Sequence, residues 1–196
     1  MTVIGKYRAV FLDRDGTINE EVGYLDSLEK LKLLAPSFAA IRRINESGMK
    51  AVVITNQSGV AKGYFTEDLV RRAHRAIQEM LREKGANIDR FYYCPHHPTD
   101  GEGDYVKACE CRKPEAGMLI RASREMDIDL PRSYVVGDTA KDVETARKVG
   151  AKGILVKTGY GQQSIASGLE AASVTPDYIA EDILDAVAWI MKDQER

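Results

Sequence analysis

No uninterrupted apolar run in the sequence approaches the roughly 20 residues of a membrane span. Neither sign of charge is in surplus: 28 lysines and arginines face 30 aspartates and glutamates, a net charge of −2. A chain without a basic excess has no bulk electrostatic grip on nucleic acid. The opening segment Met1 to Arg8 carries Lys6 and Arg8 but no apolar stretch of secretory-signal length. A cytoplasmic location is therefore expected. There is no internal repeat and no low-complexity linker, which predicts one domain over residues 1–196. Cysteine is scarce, at three residues, and an odd number makes a poor disulfide framework. What remains, 44% hydrophobic and 30% charged residues, excludes a disordered or fibrous chain and suffices to bury a core without disulfides.

Short apolar runs alternate with longer amphipathic stretches. Strands are predicted at Arg8–Leu12, Lys50–Ile54, Phe91–Tyr93, Tyr134–Val136, Gly153–Val156 and Tyr178–Ala180. Helices are predicted at Pro36–Ser47, from an N-cap at Thr66 to about Lys84, and at Glu115–Met126, Lys141–Val149 and Asp182–Lys192. Lys157 to Pro176, polar and holding three glycines, reads as a long loop. This alternation predicts an α/β chain of three layers, Rossmann-like, with a central, mostly parallel sheet. In such sheets ligands sit beyond the carboxyl ends of the strands.

Four strand ends carry chemistry. Asp13-Arg-Asp15-Gly-Thr17 puts two short carboxylates where a buried strand must turn, suited to a hard cation or to attack on phosphorus. Thr55-Asn56-Gln57-Ser58-Gly59 offers a hydroxyl and backbone N–H groups to a phosphoryl group. Arg112-Lys113-Pro114 places two cations before a helix. Gly137-Asp138-Thr139 ends another strand on a carboxylate, with Asp142 in the first turn of the following helix. Taken singly, the second cluster also reads as a polar turn and the third as a solvated basic pair.

In this order the four clusters resemble the motifs of the haloacid dehalogenase superfamily of phosphotransferases. The resemblance implies that Asp13 is a nucleophile forming an aspartyl-phosphate and that Asp15 is the acid and base. The acid role requires a raised Asp15 pKa. It implies further that Thr55, Asn56 and Lys113 bind the phosphoryl oxygens, and that Mg²⁺ is held by Asp13, the Asp15 carbonyl and Asp138.

All three cysteines fall within 18 positions, and two of the three histidines share that window. Cys94-x-His96, twelve residues, then Cys109-x-Cys111 offers four ligands of the kind that close a structural zinc tetrahedron, with His97 as the spare. The spacing is not that of a C₂H₂ nucleic-acid finger. The segment 94–111 resembles the zinc loop of the branch that holds heptose-bisphosphate and histidinol-phosphate phosphatases. That branch implies Zn²⁺ on Cys94, His96, Cys109 and Cys111, no large cap domain, and a small sugar phosphate as substrate. The expected reaction is removal of the 7-phosphate of a heptose 1,7-bisphosphate, with histidinol phosphate as the alternative. Glu21, Gly23, Tyr24, Gln57, Ser58, Arg112 and Thr139 are the implied substrate contacts, Arg112 facing the second phosphate. No nucleic-acid or membrane partner is expected, and the chain is expected to act as a monomer.

Overall fold

The computed structural model describes residues 6–194; the opening stretch Met1–Gly5, read above as part of a segment too short for a secretory signal, lies outside the described residues. Six strands form one parallel sheet: β1 (Ala9–Leu12), β2 (Lys50–Asn56), β3 (Arg90–Cys94), β4 (Tyr134–Gly137), β5 (Lys152–Val156) and β6 (Tyr178–Ala180). Their spatial order is β3-β2-β1-β4-β5-β6. The parallel arrangement follows from the apolar runs, since strands covered on both faces are apolar on both. All four residues of β1 are buried.

Side-chain alternation along β1 supplies both faces. Val10 and Leu12 pack with Ile41 and Ile44 of α1 (Pro36–Glu46), Ile77 and Leu81 of α2 (Glu67–Arg82), and Val187 and Ile190 of α7 (Ile183–Asp193). Ala9 and Phe11 pack on the opposite face with Met118 and Leu119 of α3 (Gly117–Met126) and Ala146 of α4 (Ala140–Lys148). Each buried Leu, Ile or Phe contributes roughly 1.5–3 kcal/mol. The expected three layers are present. The long connections 13–35 and 95–116 hold only one-turn 3₁₀ segments, Leu28–Lys30 and Gly103–Tyr105, and form no cap. Among the described residues no helix is long and apolar enough to cross a membrane.

One expected element differs. The stretch read as a loop after Lys157 is largely helical: α5 (Gly161–Gln163), a π-helical turn (Ser164–Gly168) and α6 (Leu169–Ala172). Two of its glycines, Gly159 and Gly161, reflect close approach rather than flexibility. A Cβ on Gly161 would lie 1.9 Å from the Val156 carbonyl oxygen.

Strand order reverses between β1 and β4, because the chain steps from β1 outward to β3 on one side and from β4 outward to β6 on the other. A crevice opens beyond the carboxyl ends of the strands at such a reversal. Asp13 follows β1 and Asp138 follows β4, so the two carboxylates flank it.

Candidate active site

A cavity of about 290 Å³ lies at this crevice, and all four expected clusters line it. Asp13 and Asp138 stand on its floor with Thr55, the penultimate residue of β2, and with Lys113. The Lys113 ammonium is 3% exposed and donates to Asp13 (2.9 Å), Asp142 (2.6 Å) and the Ile54 carbonyl (3.1 Å). Burial opposes its charge, but the two carboxylates outweigh burial and hold it cationic. The carboxylates themselves are crowded. Burial, and then the charge of Asp142, push Asp13 up to about 7 against the opposing pull of Lys113. Burial, Asp13 and Asp142 push Asp138 up to about 8.

Asp15 departs from expectation. Burial does raise its pKa, but the neighbouring Arg14 guanidinium overcomes that, with added donation from Asn19 and Gln57, and the carboxyl sits below its usual range. Arg14 reaches both carboxylate oxygens, at 2.9 and 2.7 Å, and is itself 1% exposed. Asn19 and Gln57 each donate at 2.9 Å. The raised value that the acid role requires is absent from this arrangement.

Several expected substrate contacts are committed elsewhere. The Asn56 side chain donates to the Lys113 carbonyl and accepts from its N–H, both at 3.0 Å, so it orients Lys113 rather than offering that amide to a ligand. The Gln57 amide bridges Asp15, Thr55 and Arg14 in a buried network. The Thr139 hydroxyl donates to Asp142 (2.7 Å), although the residue lines the cavity. Ser58, Glu21, Gly23, Tyr24 and Arg112 line the cavity as expected. Glu21 accepts from the Gly23 N–H, and Arg112 donates to the His96 carbonyl at 3.0 Å.

The sequence reading missed two contributors, Arg14 and a fifth strand end, and placed Asp142 in the fourth cluster without giving it a role. Arg14 fixes Asp15 and could have been found as the one cation between the two motif carboxylates. Asp142 is fully buried, and with both oxygens engaged by Lys113 and Thr139 it orients the lysine. The second missed contributor is the fifth strand end, Thr158 to Ser164. The Tyr160 N–H donates to the Asp138 carboxylate (2.8 Å), Ser164 donates to the Asp138 carbonyl (2.9 Å), and Thr158 donates to the Gly16 carbonyl (2.6 Å). A Cβ on Gly16 or Gly159 would lie 2.1 or 2.2 Å from the same Asp138 oxygen, so both must be glycine.

Residues 110–186 match a family model described as HAD-hydrolase-like. The D-glycero-D-manno-heptose-1,7-bisphosphate 7-phosphatase of Thermosynechococcus vestitus is 45% identical over 186 residues, covering 93% of this chain and 94% of that protein. The chain belongs to the HAD-like phosphatases. A second member of this family, the D-glycero-beta-D-manno-heptose-1,7-bisphosphate 7-phosphatase of Haemophilus influenzae, is 38% identical over 91% of this chain and 94% of that protein. Among solved HAD-like structures, the D,D-heptose 1,7-bisphosphate phosphatase of B. bronchiseptica, complexed with magnesium and phosphate, superposes with a TM-score of 0.83. It is 30% identical, over 95% of this chain and 99% of that one.

The magnesium of that solved relative, and the zinc expected of the cysteine loop, direct attention to two clusters. Asp13, Asp138 and Asp142 bring one oxygen each within 4.8 Å of one another, an all-oxygen set that suits Mg²⁺. Since Asp142 is engaged by Lys113 and Thr139, Asp13 and Asp138 are the carboxylates left for a cation. Cys94, His96, Cys109 and Cys111 form the other set. Four of its ligand-to-ligand separations are 3.7, 3.5, 3.5 and 3.4 Å, with Nδ1 of His96 facing the sulfurs. Zinc bond lengths of about 2.3 Å to sulfur and 2.0–2.1 Å to nitrogen give tetrahedral edges of about 3.5–3.8 Å. The residues present fit both ions.

Proposed function

We propose that this chain is a Mg²⁺-dependent phosphomonoesterase that removes the 7-phosphate of D-glycero-D-manno-heptose 1,7-bisphosphate. The observation that carries the reading is the 45% identity, over nearly the whole length of both chains, to a phosphatase of that name. The cavity chemistry agrees with it. Asp13 attacks phosphorus, the bond from phosphorus to the sugar oxygen breaks, and an aspartyl-phosphate forms on Asp13. Lys113, Thr55 and the main chain of the β2 turn take up the phosphoryl oxygens, with Asn56 and Asp142 holding the lysine. Mg²⁺ on Asp13 and Asp138, with the Asp15 carbonyl, would offset the repulsion between carboxylate and phosphate and stabilise the transferring group.

Asp15 handles the proton. Paired with Arg14 it is ionised, the form that takes a proton from water as the aspartyl-phosphate is hydrolysed. To protonate the departing sugar oxygen in the first half it must gain a proton, and the negative charge of the bound phosphate favours that gain. Cys94, His96, Cys109 and Cys111 hold a structural Zn²⁺, and the bond from Arg112 to the His96 carbonyl ties that loop to the cation facing the second phosphate. Steady-state kinetics on both anomers of heptose 1,7-bisphosphate and on histidinol phosphate test the reading. A heptose bisphosphate should have the highest kcat/KM; preference for histidinol phosphate, or no turnover of either anomer, would overturn it.

A further inference from the structure

The cavity lining holds more than the reaction chemistry requires. It includes the cations Arg112 and Lys141 and three aromatic residues, Tyr24, Phe65 and Tyr160. Two of the aromatic rings are held by packing. Tyr24 meets Tyr64 edge-on at 4.7 Å between centroids and Phe65 at 6.5 Å. Phe65 in turn lies on Gly59, where a Cβ would come within 2.2 Å of its ring. Tyr160 is held from its backbone, because its N–H bonds the Asp138 carboxylate and Gly159 beside it is packed against Gly16. Tyr160 is 46% exposed and makes no aromatic pair among the described residues.

An aromatic residue that is anchored at its backbone and exposed beside a polar cavity is unfavourable to leave wet. It gains when a ligand covers it with carbon-bound hydrogens. A sugar presents such a surface: hydroxyls lie around its rim, while one face of the ring is C–H. With a phosphoryl group on the floor and a second anion met by Arg112 and Lys141, the body of the ligand is left to the aromatic residues of the lining. We propose that Tyr160 is a specificity-determining residue whose ring stacks on the sugar body of the substrate. The proposal rests on the phosphatase reading above and adds the element that distinguishes a sugar phosphate from a bare phosphoryl donor.

The test compares kcat/KM for the heptose bisphosphate with that for acetyl phosphate, which has no sugar. Tyr160→Ala retains the backbone N–H on Asp138 but removes the ring. The sugar-to-acetyl-phosphate ratio should fall roughly three- to ten-fold, the usual worth of one aromatic contact. The fall should appear as a higher KM for the heptose substrate. Tyr160→Phe should restore the ratio, because the ring and not the hydroxyl does the stacking. Equal losses on both substrates would mean that the variant disturbs Asp138 instead, and an unchanged ratio would mean that the ring is idle; either overturns the proposal. Wild-type protein that fails to turn over the heptose substrate would instead overturn the phosphatase reading itself.

Discussion

Gly159→Ala should weaken Mg²⁺ binding without removing any ligand. The new methyl carbon would sit 2.2 Å from the Asp138 carboxylate oxygen and 2.6 Å from the Gly16 Cα. Ordinary contacts begin near 3.4 Å, so carboxylate or loop must retreat by about an ångström. Mg²⁺ demands near-ideal octahedral geometry, and disturbing the support of a metal ligand typically costs 10- to 100-fold in affinity. A loss in that range is expected by calorimetric Mg²⁺ titration. Stability should fall on two accounts. Holding a non-glycine residue at the Gly159 φ of 56° costs roughly 1–2 kcal/mol, and overpacking adds roughly 1–3 kcal/mol. Gly48→Ala is the control. Its φ is 78° but nothing lies within 4 Å of the new Cβ, so it should show the backbone cost alone, with Mg²⁺ affinity unchanged. If Gly159→Ala binds Mg²⁺ as tightly as Gly48→Ala does, either Asp138 is no ligand or the glycine pair does not position it.

Asp15→Asn should slow turnover of a sugar phosphate far more than that of an activated aryl phosphate, whose phenolate leaves without a proton; equal fractional losses would argue against the acid role. Cys109→Ser should lower both zinc content and Tm, since metal binding is linked to folding. It should also raise KM, because the Arg112 guanidinium hangs on the His96 carbonyl; elemental analysis with thermal melts checks the first part, and a zinc-depleted variant of normal KM would refute the coupling. Without added Mg²⁺, Asp13 and Asp138 titrate near 7 and 8, above their unfolded values. An acid so raised contributes stability below its unfolded pKa and loses it as pH climbs through the folded one, so Tm should fall from about pH 4 to about pH 8 and level off above. Mg²⁺ should flatten that fall, and parallel curves with and without the ion would rule out the cation site.

The sheet and its chemical ends were legible because the strands are short apolar runs, and those of β1, β2 and β4 are stopped by Asp, Thr and Gly-Asp. Periodicity and punctuation are local, and both are written along the chain. What could not be read was which polar groups would meet. Asn56 binds the backbone of a residue 57 positions away, and Gln57 reaches Asp15 across 42. Polar side chains at a strand end look alike as candidates for a ligand until their partners are known. The segment after Lys157 misled for a different reason. Glycine signals a turn in sequence, yet Gly159 and Gly161 are there because Asp138 and the Val156 carbonyl pass too close for a side chain. Arg14 was the one informative residue left unused: its buried guanidinium outweighs burial and lowers the Asp15 pKa.

The charge inventory at the crevice explains why this arrangement calls for a cation. Asp13, Asp138 and Asp142 carry three negative charges against the single positive charge of Lys113, all within a largely buried cluster. Arg14 and Asp15 neutralise each other beside it. A buried excess of two negative charges is costly, and proteins relieve it by protonation or by binding a cation. The first remedy is what the raised values at Asp13 and Asp138 record. A divalent cation brings the cluster to neutrality, ionises both acids and leaves Asp13 a carboxylate able to attack. Neutrality also decides where the arriving phosphate is balanced. With the floor neutral, the dianion must be met by positive charge that the cluster does not already hold. Arg112 and Lys141 at the mouth supply it, and only the first of these is tied to the cysteine loop.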